Sequence, residues 1–505
     1  MQSLEAKPQQ PSDYYSRLDW QRGYDSQPGE FAYWIDDCEG EIPAALTGTL
    51  FRNGPGLLDV GGEPIGHPFD GDGMICQIAF QNGRAHFRNR FVQTEGYLAE
   101  QRAGKILYRG VFGTQKAGGW LANLFDLRIK NIANTHVMYW GDRLWALWEA
   151  AEPHRLDPHS LETIGLDSID GVLQPGDAFA AHARIDPGSV AAGRWTTTPT
   201  TTPTADRRFV NFAVKPGLST TITIFELDEA GKLVSRHAHS VPGFAFLHDF
   251  AITPNWCIFF QNPVSFNPLP FMLGMKGAGQ CISLDAKQPT RALLIPRDGS
   301  RSLKVLEMPP CFVFHHANAF ENADGTQVTI DSVCYDSFPT LEPGQDFRAV
   351  DFGSLPPGQL WRFEMDLVGD RVESRCLETR CCEFPSLHPN AVGHEHRYLY
   401  IGAARSPEGN APLQAILKID VQTGDRQLFD LGARGFGGEP LFVPNPNGQT
   451  EDDGWVLLLA YNAERHASDL VIVDARDLSL VARLQLKQHI PYGLHGSFVP
   501  QVFGI

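Results

Sequence analysis

FEMDLVGDRVES, residues 363–374, reads as a strand, an Asp-led turn and a second strand. The same figure recurs as HRLDPHSLETIG (154–165), FELDEAGKLVSR (225–236), LKIDVQTGDRQL (417–428) and VIVDARDLSLVA (471–482). The aspartates concerned are Asp157, Asp228, Asp366, Asp420 and Asp474. The interval from Asp228 to Asp366 is about twice the others and reads as two beats with one copy degraded. A unit of roughly 55–70 residues over the whole chain gives about seven copies, and repeats that each fold into a four-stranded sheet build a propeller.

The rest of the sequence agrees with that reading. Short β-branched and aromatic runs dominate, such as RLWALWEA (143–150), TITIFEL (221–227), QVTIDSVCY (327–335), RYLYIGAA (397–404) and WVLLLAY (455–461). Turn signals interrupt them every ~8–12 residues, and long apolar stretches of helical period are scarce. The expected fold is all-β: a seven-bladed β-propeller with a helical and loop cap over its top face. It is one domain over 1–505, with an N-terminal extension over about 1–30. A Thr/Pro-rich segment, 189–208 with TTTPTTTPT at 196–204, reads as a flexible surface loop.

Composition narrows the partners. The net charge is −17 and no Lys/Arg cluster offers a basic face, so nucleic acid is not an expected partner. No apolar run approaches the ~20 residues that span a bilayer. The first residues, MQSLEAKPQQPSDYYSRLDW, lack the apolar segment of a secretory signal, which points to the cytoplasm. The nine cysteines are scattered without a CxxC pair and read as reduced, mostly buried thiols, Cys381-Cys382 included. Two apolar segments break the β pattern, GGWLANLFDLRIKNIA (118–133) and FNPLPFMLGMKGAG (266–279). The first suits a short amphipathic helix. Together they read either as core or as a patch that dips into a membrane surface, with Lys116, Lys130 and Lys276 nearby.

Seventeen histidines are present. His154, His159, His237, His239, His394, His396 and His466 stand in polar loop contexts and read as surface residues. His182, His248, His315 and His495 stand instead among apolar or small residues near strand ends. The first three are evenly spaced, about one repeat apart, and His495 follows near the C-terminus. The same strand of each blade lines a propeller axis, so such histidines would converge there. In FVFHHANAFEN (312–322), alternation puts Phe312, Phe314 and His316 on one face and His315 on the other. Glu149, Glu383 and Glu439 lie in apolar surroundings. They suit either salt bridges or carboxylates that orient metal-bound imidazoles through the second ring nitrogen.

FRNGPG (51–56), HPFDGDGM (67–74), NIANTHV (131–137), LWEAA (147–151), FLHDFAIT (246–253), FHHANAFE (314–321), EFPSLHP (383–389), GEPLFVP (438–444) and EDDGWVL (451–457) resemble signatures of the carotenoid cleavage oxygenase family, in particular its apocarotenoid-cleaving branch. The likeness runs along nearly the whole chain. It implies Fe(II) on the axis of a seven-bladed propeller, held by His182, His248, His315 and His495. It places Glu149, Glu383 and Glu439 behind those ligands and Thr135 beside the open coordination position, with His316 left to pack. The implied reaction is O2-dependent cleavage of a C=C bond of an apolar polyene, at the 15,15′ position, to retinal-type aldehydes. Phe69, Phe112, Trp148, Phe246 and Phe314 are the candidate grips on the polyene. A lipid-dissolved substrate favours peripheral membrane association through 118–133 and 266–279. The alternatives are stilbene or phenylpropanoid cleavage at the same metal, retinyl ester isomerohydrolysis, and a propeller that only binds lipid or metal.

Overall fold

The aspartates of the repeat do the same job in each copy. Asp157, Asp228, Asp366, Asp420 and Asp474 each follow or end a strand, and one carboxylate oxygen accepts amide protons just ahead in the chain. This Asx turn sends the chain back as the next strand outward in its sheet. The missing beat is Asp298, midway between Asp228 and Asp366. It stands just past the end of strand Thr290–Pro296 and accepts from the Ser300 amide. In the first sheet Asn82-Gly83 replaces it, both residues at positive φ, as a tight two-residue hairpin requires.

The computed structural model describes residues 11–188, 195, 206–217, 219–338 and 344–505. The Thr/Pro stretch at 196–204, and most of the loop expected over 189–208, lie outside the described residues.

Seven sheets of four to six strands form the seven blades. The innermost strands, from blade 1 to blade 7, are Gly496–Val499, His136–Trp140, Arg184–Asp186, Ala251–Ile252, Phe312–Glu321, Cys382–Ser386 and Leu441–Pro444. Blade 1 is closed by the chain's two ends, since Gly496–Val499 pairs with Gly48–Leu57. Cys38–Gly40 in turn completes the outer edge of blade 7 against Leu480–Gln485. The apolar core lies between blades. Phe212, Ile224 and Val241 of blade 3 meet Phe259 and Ile295 of blade 4, and Ile258, Phe260 and Leu294 meet Ile330 and Phe363 of blade 5. Strands buried on both faces explain the near-continuous apolar runs. The segment before blade 1 is docked too. Trp20, in helix Arg17–Arg22, is buried with Phe436, Tyr461 and Ala463.

Antiparallel pairing fixes what faces the axis entrance. Each innermost strand starts on one face, so loops entering it, and loops joining the second and third strands, emerge on that face. Both apolar segments belong to such loops. Residues 118–133 lie between Arg84–Phe91 and His136–Trp140, and 266–279 between Trp256–Gln261 and Thr290–Pro296. Helix forms only over Gly119–Asn123 and Pro268–Met272, shorter than expected for the first segment, where paired glycines at positive φ open the turn. Arg109, buried, donates to the carbonyls of Asp126 and Lys276 at 2.7 and 2.8 Å and so ties the two segments together. Trp120, Leu121, Phe125, Leu127, Leu269 and Met275 are each more than half exposed. Lys130 takes no part in this surface, because it is buried between Asp72 and Glu100. Among the described residues no helix is long and apolar enough to cross a membrane. The cysteines are free, and all but Cys38 are buried or half-buried.

Candidate metal centre

Each blade sends one residue of the predicted set toward the axis. His495 precedes the inner strand of blade 1, His182 that of blade 3 and His248 that of blade 4, while His315 lies within that of blade 5. Glu149 follows the second strand of blade 2, Glu383 is in blade 6, and Glu439 precedes the inner strand of blade 7. The four imidazoles meet: one ring nitrogen from each lies within 4.8 Å of the other three. Ring centroids are 4.4 Å apart for His182 and His248, 4.5 Å for His182 and His495, and 4.9 Å for His315 and His495.

The carboxylates define which nitrogens point inward. His315 Nδ1 donates to Glu383 at 2.5 Å, His495 Nδ1 donates to Glu439 at 2.8 Å, and His248 Nδ1 pairs with Glu149. In a neutral imidazole the other nitrogen then carries a lone pair. His248 Nε2 lies 3.0 Å from His182 Nε2, and buried His315 Nε2 has no partner among the described residues. Converging lone pairs repel unless a cation sits between them. Four imidazole donors, three of them braced by carboxylates, fit a first-row divalent metal.

The electrostatics differ around the ring. Burial and the neighbouring imidazoles push His182 well below the ordinary histidine range. Burial also brings His495 down to about 3, although Glu439 opposes it. For His315 burial pulls the same way, but Glu383 outweighs it and the group is raised. The contrast has a cause. Buried Arg52 pairs with Glu439, and together with His495 it overcomes burial to hold that carboxyl down at about 2; the Gly496 amide donates to it as well. Glu383 has no such cation. Its partners are His315, the Tyr335 hydroxyl at 2.9 Å and the Phe384 amide at 2.5 Å.

The FVFHHANAFEN stretch departs from simple alternation. Two register shifts, on either side of His316, make bulges in the inner strand of blade 5. A bulge re-aims side chains. Phe314 and His315 therefore both face the site, with the Phe314 ring 5.3 Å from His248, rather than on opposite faces. His316 packs away from it, its Nδ1 2.7 Å from Ser332 Oγ and its ring edge-on to Phe260. Two histidines expected on the surface are buried, His154 within blade 2 and His396 beside Asp331. Their polar neighbours in sequence conceal apolar or ionic neighbours in space.

The other predicted residues fall into groups. Thr135 is buried, and its carbonyl accepts the His495 amide at 3.1 Å. Phe69 and Phe112 pack edge to face at 5.4 Å. Phe246 and Phe314 join Phe312 and Phe338 in a cluster reaching His248. Trp148 is buried beside a small cavity also bordered by Asp70, Thr114 and Lys130. Four residues went unassigned in the sequence although three sit inside quoted motifs: Arg52, His136, Tyr335 and Phe384. His136 bridges the carbonyls of Ala181 and Gly496, each next to a candidate ligand, at 2.9 and 3.1 Å. Phe384 stands at φ 60°, a costly conformation for a bulky residue, and its ring lies 5.3 Å from both His315 and His495.

The model of the retinal pigment epithelial membrane protein family matches residues 24–500. The chain belongs to this family, that of the carotenoid cleavage oxygenases. The apocarotenoid-15,15′-oxygenase of Synechocystis sp. is 52% identical over 487 residues, 96% of each chain. The crystal structure of cobalt-substituted Synechocystis ACO superposes with a TM-score of 0.91 at 51% identity, covering 96% of this chain and 99% of that one. Resveratrol cleavage oxygenase 1 of Botryotinia fuckeliana is a more distant family member, 28% identical over 91% of this chain and 82% of its own.

Proposed function

We propose that this carotenoid cleavage oxygenase is an Fe(II)-dependent dioxygenase that cuts a C=C bond of an apocarotenoid, at the 15,15′ position, to give retinal-type aldehydes. The observation that carries the reading is the cluster of four imidazoles at the axis, three of them braced by carboxylates. His182, His248, His315 and His495 hold the metal. Iron at such a site, when bound, supplies the activation of O2. Zinc accepts imidazole as well, but prefers closed tetrahedral sites or one open position. Glu149, Glu383 and Glu439 keep the Nδ1 protons in place and so aim Nε2 inward. Thr135, whose carbonyl accepts the His495 amide, would stand beside a bound metal. Phe69, Phe112, Trp148, Phe246 and Phe314 grip the polyene and keep water from it.

The entry route follows from the exposed apolar side chains of 118–133 and 266–279, on the face where the inner strands begin. They rest on a membrane surface, so the substrate passes from lipid into the protein without crossing water. The protein works as a peripheral membrane enzyme on the cytoplasmic side. The 52% identity to an enzyme named for apocarotenoids, against 28% to one named for resveratrol, favours the polyene over a stilbene.

The test is anaerobic reconstitution with Fe(II), then O2 and apo-8′-carotenal or its alcohol, with products separated by chromatography. Retinal that forms only with both iron and O2 supports the reading. Bound iron with surviving apocarotenoid refutes the substrate, and cleavage of resveratrol in its place establishes the stilbene alternative.

A further inference from the structure

His67 carries a chemistry that the proposed function leaves unused. Its Nδ1 accepts the Phe69 amide at 3.1 Å. A backbone N–H only donates, so Nδ1 holds a lone pair and the neutral ring carries its proton on Nε2. Burial pushes the imidazole down to about 3, which keeps it neutral at physiological pH. No described residue accepts a hydrogen bond from Nε2.

The surroundings are aromatic. The His67 ring lies 4.7 Å from Phe69 and 5.2 Å from Phe112. All three residues are half-buried. The His67 ring thus keeps accessible surface, and that surface is flanked by aromatic rings. The cluster also has a defined place. The Phe69 carbonyl accepts Asn134 Nδ2 at 3.0 Å, one residue from Thr135. On its other side Phe112 packs on Gly279, where a Cβ would meet the ring at 2.9 Å. Gly279 ends the second apolar segment, so the cluster bridges the Thr135 edge of the metal centre and the apolar entrance.

We propose that His67 is a specificity-determining residue whose Nε2–H donates a hydrogen bond to an oxygen at the end of the polyene, an aldehyde carbonyl or a hydroxyl. The proposal rests on the polyene reading above. A polyene is apolar along its length, and its terminal oxygen loses water on entering an aromatic channel. A single fixed donor there restores the lost hydrogen bond and sets how far the chain slides in. A site built this way discriminates against a substrate that lacks the acceptor.

His67→Ser separates the two nitrogens. Serine keeps an acceptor for the Phe69 amide but removes the far donor. The probes are apo-8′-carotenal, its alcohol, and the matching hydrocarbon with a terminal methyl. The variant is expected to lose about tenfold in kcat/KM, carried by KM, on the oxygen-bearing compounds, and less than twofold on the hydrocarbon. Loss on the aldehyde alone assigns the donor to a carbonyl. Equal loss on all three makes His67 a packing residue and overturns the proposal. Affinities for the same compounds, from quenching of tryptophan fluorescence in metal-free protein, decide the matter independently. If wild type cleaves none of them, the proposed reaction falls, while equal or unequal affinities still settle the role of His67.

Discussion

The Tyr335 hydroxyl donates to one oxygen of Glu383 while His315 Nδ1 donates to the other, at 2.9 and 2.5 Å. A carboxylate held from both sides cannot rotate away from the imidazole it orients. Tyr335→Phe removes one donor and leaves the ring's packing on Phe314 intact. The expected result is a two- to tenfold weaker metal affinity, from about 0.5–1.5 kcal/mol for one hydrogen bond. Glu383→Gln should cost more, about 10–100-fold. Titration with Co(II), followed by its visible absorption, measures both. An unchanged affinity in Tyr335→Phe removes Tyr335 from the site's support.

The neighbouring histidines give a sharper comparison. His248→Ala takes away a converging nitrogen and should abolish stoichiometric metal binding. His316→Ala should keep the metal, because His316 serves Ser332 and Phe260 instead. It should still lose about 2 kcal/mol or more of stability from the cavity it leaves. Metal content by atomic absorption and a denaturant midpoint, read on both variants, separate the roles. Loss of metal in His316→Ala contradicts the assignment.

These two predictions mark what the sequence made legible. The blades were visible because Asp157, Asp228, Asp366, Asp420 and Asp474 repeat one turn, and even the absent copy had a place, which Asp298 fills. The four histidines that meet at the axis were visible through their spacing and small neighbours, although the ligand role proposed for them came from the family resemblance. The bulges around His316 were not, since nothing in alternating residues announces an extra one, and Phe314 was therefore set on the wrong face. Arg52 and Glu439 lie far apart in sequence and meet only because the chain's ends close the ring. An arginine in the apolar run LFRNG was the available signal: a buried cation needs a partner.

The exposed apolar face makes its own prediction. Leu121→Glu with Met275→Glu places one charge on each segment that Arg109 ties together. Both side chains are more than half exposed, so the fold should be unaffected. Sedimentation with phosphatidylcholine vesicles should fall by about tenfold or more. Turnover of substrate in detergent should stay within twofold of wild type. Undiminished vesicle binding would mean that these segments do not make the proposed membrane contact.

A buried charge inside blade 5, touched by one histidine of blade 6, gives acid sensitivity. Asp331 is fully buried. Arg362 grips both its oxygens at 2.7 Å, and His396 Nε2 lies 3.0 Å away. Burial alone would raise the Asp331 carboxyl, but the Arg362 and His396 contacts outweigh it and hold the group below its usual value. A carboxyl whose folded pKa is depressed adds stability above its unfolded value, near 4, and that stability is lost as pH falls through the folded value. Asp331→Asn leaves Arg362 buried without its anion and should cost about 3–5 kcal/mol at pH 7. The difference between wild type and variant should then shrink as pH is lowered from 5 toward 3. Denaturant midpoints across that range provide the check. A gap that stays constant with pH would mean that the Asp331 charge is not what stabilises this part of blade 5.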